Sequence, residues 1–214
     1  MALIDDIQQC VELRKPEQMP IFCMSQEFDA RYCGMTYARY CSAAENIVRA
    51  QLEAINSFGW DWAWVELDGV LEFEPLGIAS AARDENSPLQ VSRCLDLARA
   101  TVSGLRIPRA PGSARMRVLL DALSALRDDR GDGTCITGRV VSPFSAVVQL
   151  FGIQAVVEAL RGAQVLLRDA LAFCRDYAVE WGKTQKDAGA HAVWVSDLRA
   201  ATAALPAQLY EQWA

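Results

Sequence analysis

The side chains of this sequence that could do chemistry gather where apolar runs stop. Ser25, Gln26 and Glu27 follow Ile21-Phe22-Cys23-Met24, and Glu66 and Asp68 close the run Asp61–Asp68. Arg139, Ser142 and Ser145 come at and after the end of Thr134–Val140, and Ser196 and Asp197 follow His191–Val195. An aspartate that ends an apolar strand and precedes a glycine, as Asp68 precedes Gly69, faces a pocket mouth, where partial burial lets it orient a substrate's donor groups. The same residue type also caps a following short helix, and both readings stand for Asp68 and for Asp197. Arg139 offers a bidentate fork to a carboxylate, or a structural partner to a nearby acid. His191, the one histidine, lies early in its run, which points to packing rather than metal ligation.

Composition removes several function classes. The 214 residues are 52% hydrophobic and 22% charged, enough apolar surface for a core and too much for wholesale disorder. The 21 basic residues are outnumbered by 27 acidic ones, giving a net charge of −6 with no Lys/Arg cluster, so nucleic acid is not an expected partner. No run approaches the roughly 18 apolar residues of a membrane span. The start, Met1-Ala2-Leu3-Ile4-Asp5-Asp6, lacks the basic and then apolar regions of a secretory signal. Seven cysteines without a CxxC pair suggest neither a disulfide framework nor a zinc knuckle, and reduced thiols in a cytoplasm are the expectation. GxGxxG, GxxxxGK[ST] and HExxH do not occur. The tryptophans at 60, 62, 64 and 194 read as core and interface packing.

The elements that must position these groups follow from apolar period. A leading helix spans Asp5–Arg14, and Ile21–Met24 reads as a first buried strand. A long helix then runs to Phe58 with Val48, Leu52 and Ile55 as its stripe, ended by Gly59. Asp61–Asp68 is the second strand, and Asp84–Pro88 a surface turn. Helices are predicted over Val91–Val102 and Ala114–Leu126, and a third strand over Thr134–Val140. Further helices carry Ile153, Val156, Val157 and Leu160, and then Leu167 through Trp181. His191–Val195 is the fourth strand, and Ala207–Trp213 a closing helix. Strands alternating with helices predict an α/β domain of parallel βα units spanning 1–214, with functional groups at the carboxyl ends of the strands.

Three stretches taken together resemble the uroporphyrinogen decarboxylase family. Asp68-Gly69-Val70-Leu71-Glu72-Phe73-Glu74-Pro75-Leu76-Gly77 is similar to its D-x-x-x-E-A-x-x-x-G region. Ile136–Ser145, with Gly152 following, is similar to its G-x-x-P-[FW]-[ST] segment, and Ala188–Asp197 to its A-G-A-D-x-[IV]-x-[IV]-x-[DE] strand. The resemblance implies a (β/α)8 TIM barrel with its site in the carboxyl-end funnel, of which this sequence covers about the first four βα units. It gives Asp68 the catalytic position that contacts pyrrole nitrogens in the decarboxylase, and it marks Gln26, Arg139, Ser142, Gln149 and Asp197 as substrate-binding positions.

Departures from the pattern matter. The arginines that bind substrate carboxylates in the family's M-R-Q-A-G-R-Y segment are absent from Met24-Ser25-Gln26-Glu27-Phe28, and Gln149 stands where a tyrosine is expected. The segments around Gly34–Tyr37, Asn46–Gly59 and Thr137–Ser145 look more like the methyltransferase-like members. In that branch corrinoid is the methyl donor, and zinc on a His-x-Cys pair and a later cysteine activates a thiol. His191 has Val193 two places on, so no zinc ligand and no cofactor is carried over to this chain. The partners implied are a small-molecule substrate, a corrinoid protein and a second copy of the chain. Three readings stand: methyl transfer, uroporphyrinogen decarboxylation, and a half-barrel without catalysis of its own.

Overall fold

The structure is a computed structural model that describes residues 3–109, 111–200 and 206–213. The chain opens with helices α1 (Leu3–Val11), α2 (Gln26–Tyr32), α3 (Tyr37–Tyr40) and α4 (Ala44–Phe58), followed by strand β1 (Trp62–Trp64). A hairpin, β2 (Ala79–Ala81) and β3 (Gln90–Arg93), leads to α5 (Arg99–Gly104) and α6 (Ala114–Arg130). Then come β4 (Cys135–Val141), α7 (Pro143–Phe151), α8 (Ile153–Gly162), α9 (Gln164–Asp187), β5 (Ala192–Ser196) and α10 (Ala207–Trp213).

Strands β1, β4 and β5 form a parallel sheet in the order β1-β4-β5. Side chains alternate across it. Ala63, Val65, Ile136 and Val140 are buried on one face under α4, α6 and α9, packed with residues such as Ile47, Leu123 and Trp181. The other face carries Trp62, Trp64, Thr137, Arg139 and Trp194. There the Trp62 indole N–H donates to Thr137 Oγ1 at 2.6 Å, and the Trp64 and Trp194 rings meet edge-on with centroids 5.2 Å apart. Phe22 lies on these rings, 5.0 Å from Trp62 and 5.9 Å from Trp194. Even so, Trp194 remains 44% exposed, and β5 pairs only with β4 among the described residues.

The sheet splits toward its carboxyl end. The last β1–β4 contact is the Val65 N–H donating to the Thr137 carbonyl at 2.9 Å. Side chains satisfy the next alternate groups of β4. The Gln185 amide accepts from the Arg139 N–H at 2.9 Å and donates to its carbonyl at 2.8 Å, and the Glu72 carboxyl accepts from the Val141 N–H at 2.9 Å. Unpaired backbone groups in this interior would be costly. Gly138 is what lets Gln185 approach, since a Cβ there would stand 2.2 Å from Gln185 Oε1.

Several sequence expectations need correction. Ile21–Met24 is not a strand. It makes one backbone bond to the sheet, from the Asp61 N–H to the Ile21 carbonyl at 2.9 Å, while the Ile21 N–H goes to the Asp61 carboxylate. One bond is no ladder, so among the described residues the parallel sheet has three strands rather than four. The long helix to Phe58 is three helices, because Gly34 at φ +65° stops α2 and Thr36 caps a new start. Ile55 is buried as expected, whereas Val48 and Leu52 are only partly so. The predicted helix over Val91–Val102 begins as β3. The turn Asp84–Pro88, where the Asp84 carboxylate accepts from the Asn86 N–H at 2.9 Å, joins two antiparallel strands instead. α7 went unrecognised although Ser142 caps it and Pro143 occupies its first turn. Among the described residues no single helix is long and apolar enough to cross a membrane.

Candidate functional site

A cavity of about 570 Å3 lies between the carboxyl ends of β1, β4 and β5, with α2, the hairpin and α7 as its walls. Glu66 and Arg139 make its charged floor. Arg139 Nη1 lies 2.7 Å from Glu66 Oε1, and the two side chains are only 9% and 13% exposed. Glu66 Oε2 accepts from Gln26 Nε2 at 2.6 Å and from Trp64 Nε1 at 3.0 Å, and Arg139 Nη2 donates to Ser196 Oγ at 3.1 Å. One polar network thus ties α2, β1, β4 and β5. Burial pushes the Glu66 carboxyl above its ordinary value, against the opposing pull of Arg139, the indole and the amide. Gln26 sits at φ +25°, a left-handed value that costs a non-glycine residue about 1–3 kcal/mol and persists only where neighbours hold it.

Asp68 forms part of the wall, with its side chain 1% exposed. Its Oδ1 accepts from the Val70 N–H at 3.1 Å, closing a turn over Gly69. Its Oδ2 pairs with Arg115 of α6, whose Nη1 reaches Glu74 Oε1 at 2.7 Å. Asp68 thus closes a turn rather than capping a helix, since the next helical turn starts at Glu74, and both carboxylate oxygens already have partners. Gln149 lines the cavity beside Gly69, where an added Cβ would stand 3.4 Å from Gln149 Nε2 and 3.6 Å from Arg139 Nη1. The Gln149 side-chain amide has no protein hydrogen bond among the described residues. It and the spare N–H groups of Arg139 are donors on the cavity available to a ligand.

The sequence-derived positions divide into two groups. Gln26, Asp68, Arg139 and Gln149 line the cavity, whereas Ser142 and Asp197 stand behind it as a bracket. Ser142 Oγ and Ser145 Oγ both donate to Asp197 Oδ1, the second at 2.8 Å, and the Arg199 N–H donates to Ser145 Oγ at 2.9 Å. The bracket joins the end of β4 to the end of β5, and its Ser145 and Arg199 reach the cavity. Arg115, Gln185 and Glu72 were missed. Arg115 and Gln185 sit on helices far along the chain from the groups they hold. Glu72 stands within the Asp68–Gly77 stretch, where its residue type signals nothing about a backbone partner on β4.

His191 sits at the opposite end of β5. Its Nδ1 accepts from the Ile136 N–H at 3.0 Å and its Nε2 lies 3.2 Å from Asp132 Oδ1. Burial, and then the nearby Arg127, hold its pKa below the ordinary value. Among the described residues, no group of three or more His, Cys, Asp or Glu side chains is placed to hold a metal ion.

Comparison with known proteins bears on the fold first. The chain superposes on a methyltransferase from Methanosarcina mazei with a TM-score of 0.87 at 16% identity, covering 100% of this chain and 64% of that one. It therefore spans less than two thirds of that protein's length. No curated protein sequence matches it. The uroporphyrinogen decarboxylase (URO-D) profile matches residues 3–214. The chain belongs to the uroporphyrinogen decarboxylase family.

Proposed function

We propose that the cavity at the ends of β1, β4 and β5 is the substrate site of a methyltransferase-like member of the family, built on part of a (β/α)8 barrel. One observation carries this reading: Arg139, the guanidinium on the cavity floor, is neutralised at 2.7 Å by Glu66. A porphyrinogen with many carboxylates needs several uncommitted cations. Here Gln26 and Glu27 stand where the resemblance expects arginine-rich sequence, and the remaining cation lining the cavity, Arg199, is exposed at the rim. The fold shared with a methyltransferase supports the same side of the family.

The chain's own residues bind and orient. The Gln149 amide and the spare Arg139 N–H groups hold the polar end of a small acceptor, such as a thiol carrying at most one carboxylate. Glu66 and Gln26 fix Arg139, and the Asp68–Arg115 pair keeps the wall rigid. The methyl group comes from a corrinoid, the donor of the resembled branch. Zinc, which that branch uses to activate thiols, finds no fitting ligand set among these residues, and the chain's part in the reaction is binding and positioning.

The test supplies methylcobalamin with 3-mercaptopropionate in one series and uroporphyrinogen in another. S-methylated product that falls at least tenfold on Arg139→Met is expected. A decarboxylated porphyrinogen that disappears on Asp68→Asn overturns the reading in favour of the decarboxylase. Neither product marks a binding unit without catalysis of its own.

A further inference from the structure

Behind Asp68 lies a second cleft of about 350 Å3, within the size range of small-molecule sites. It opens between α3, the β2–β3 hairpin and the first turns of α6. Tyr37, Asp68 and Leu89 line both this cleft and the main cavity, so these three side chains form the partition between them. Two of the three are fixed. The Tyr37 hydroxyl donates to the Leu67 carbonyl, and Asp68 is tied to Val70 and Arg115. Leu89, from the hairpin, has no such tether.

The lining specifies the ligand. Ala38, Cys41, Ala82, Leu89, Ala114 and Val118 give apolar and small walls with room between them. Asp68 and Arg115 are the charged residues on it, and they are paired with each other. A charged ligand of either sign would leave water without gaining a free counter-charge, which is costly. An uncharged ring gains from burying its apolar surface and loses nothing comparable.

We infer that this cleft is a binding site for an uncharged, ring-sized apolar molecule or group. The inference does not depend on the methyl-transfer reading. It concerns a separate cleft and is read by binding alone.

The probe is 4-fluoroanisole, followed by broadening of its 19F resonance on titration with the full chain, with 4-fluorobenzoate and 4-fluorobenzylamine as charged counterparts. Saturable binding of 4-fluoroanisole is expected, with both charged probes weaker by about tenfold or more. Ala114→Trp and Val118→Phe fill the cleft from successive turns of α6, and each should lower the affinity by about tenfold or more, provided circular dichroism shows the fold retained. Ile153→Ser at the rim of the main cavity and Phe22→Ser on the open aromatic face, both at exposed positions, should leave it unchanged. The inference is overturned if 4-fluoroanisole does not bind, if both filled variants fold and bind as before, or if binding is lost on Ile153→Ser or Phe22→Ser instead. It is equally overturned if either charged probe binds as well as the neutral one.

Discussion

The Glu66 carboxylate and the Arg139 guanidinium meet at 2.7 Å across the gap where β1 and β4 have stopped pairing. With side chains 13% and 9% exposed, the pair is largely desolvated. Such a pair adds little net stability compared with well-packed apolar residues, but losing one partner strands the other. Glu66→Gln and Arg139→Met should therefore each destabilise the fold by about 3–5 kcal/mol, while the double variant recovers most of that loss. Urea unfolding of the four proteins measures the cycle, and additive losses would show that the two side chains do not depend on each other.

Gly138 makes a second cycle possible. A methyl group there collides with the Gln185 amide, which fills the split by bonding both the N–H and the carbonyl of Arg139. Gly138→Ala should displace that amide and cost about 1–3 kcal/mol, the range for leaving buried polar groups unsatisfied. Gln185→Ala should cost a similar amount, and the double variant little more than either alone. Hydrogen exchange at the Arg139 amide should quicken in all three, and an unchanged rate would contradict the role given to Gln185.

Much of this architecture is legible in the sequence, and the reasons are local. Apolar runs marked Asp61–Asp68 and Thr134–Val140 as strands, of which Trp62–Trp64 and Cys135–Val141 form the ladder, and the polar groups near their ends do converge, with Gln26, Asp68, Arg139 and Gln149 on one cavity. Ile21–Met24 was misread because a short apolar run looks the same whether it pairs in a ladder or lies across exposed rings. The hairpin was missed because the Asp84–Pro88 turn was seen without the strands it joins. The partner of Asp68 was out of reach because Arg115 lies 47 residues away, and only the folded chain brings α6 to the end of β1.

Stability should respond to pH through Glu72. Full burial pushes its carboxyl up to about 8 from an ordinary 4.5, despite the bond from the Val141 N–H, which favours the charged form. A carboxyl whose pKa is raised on folding gives stability that is complete below its unfolded pKa and is lost as pH rises through the folded value. The loss therefore falls between about pH 4.5 and 8. Glu72→Gln keeps an acceptor for Val141 and cannot ionise. Its Tm should match the wild type near pH 4.5 and exceed it by roughly 10 °C or more near pH 8.5. Parallel Tm curves across this range would contradict the assignment.

The aromatic face should make the chain self-associate. Phe22 and Trp194 are 40% and 44% exposed, Val195 is 62% exposed, and one edge of β5 is unpaired among the described residues, with no charge or proline in Ala192–Ser196. Edges of this kind recruit another strand. Sedimentation at micromolar concentration should show dimers or larger species that bind a hydrophobic dye, and Trp194→Lys should shift them toward monomer. A compact, dye-silent monomer would contradict this reading of the open face.

The most direct measurement of the functional account is a titration of the 15N-labelled chain followed at the side-chain amides of Gln149 and Gln26. The account predicts that 3-mercaptopropionate shifts the Gln149 resonance saturably, that Arg139→Met abolishes the shift, and that uroporphyrin does not compete. Saturable shifts caused by uroporphyrin and lost on Arg139→Met, with no response to the thiol, would contradict it.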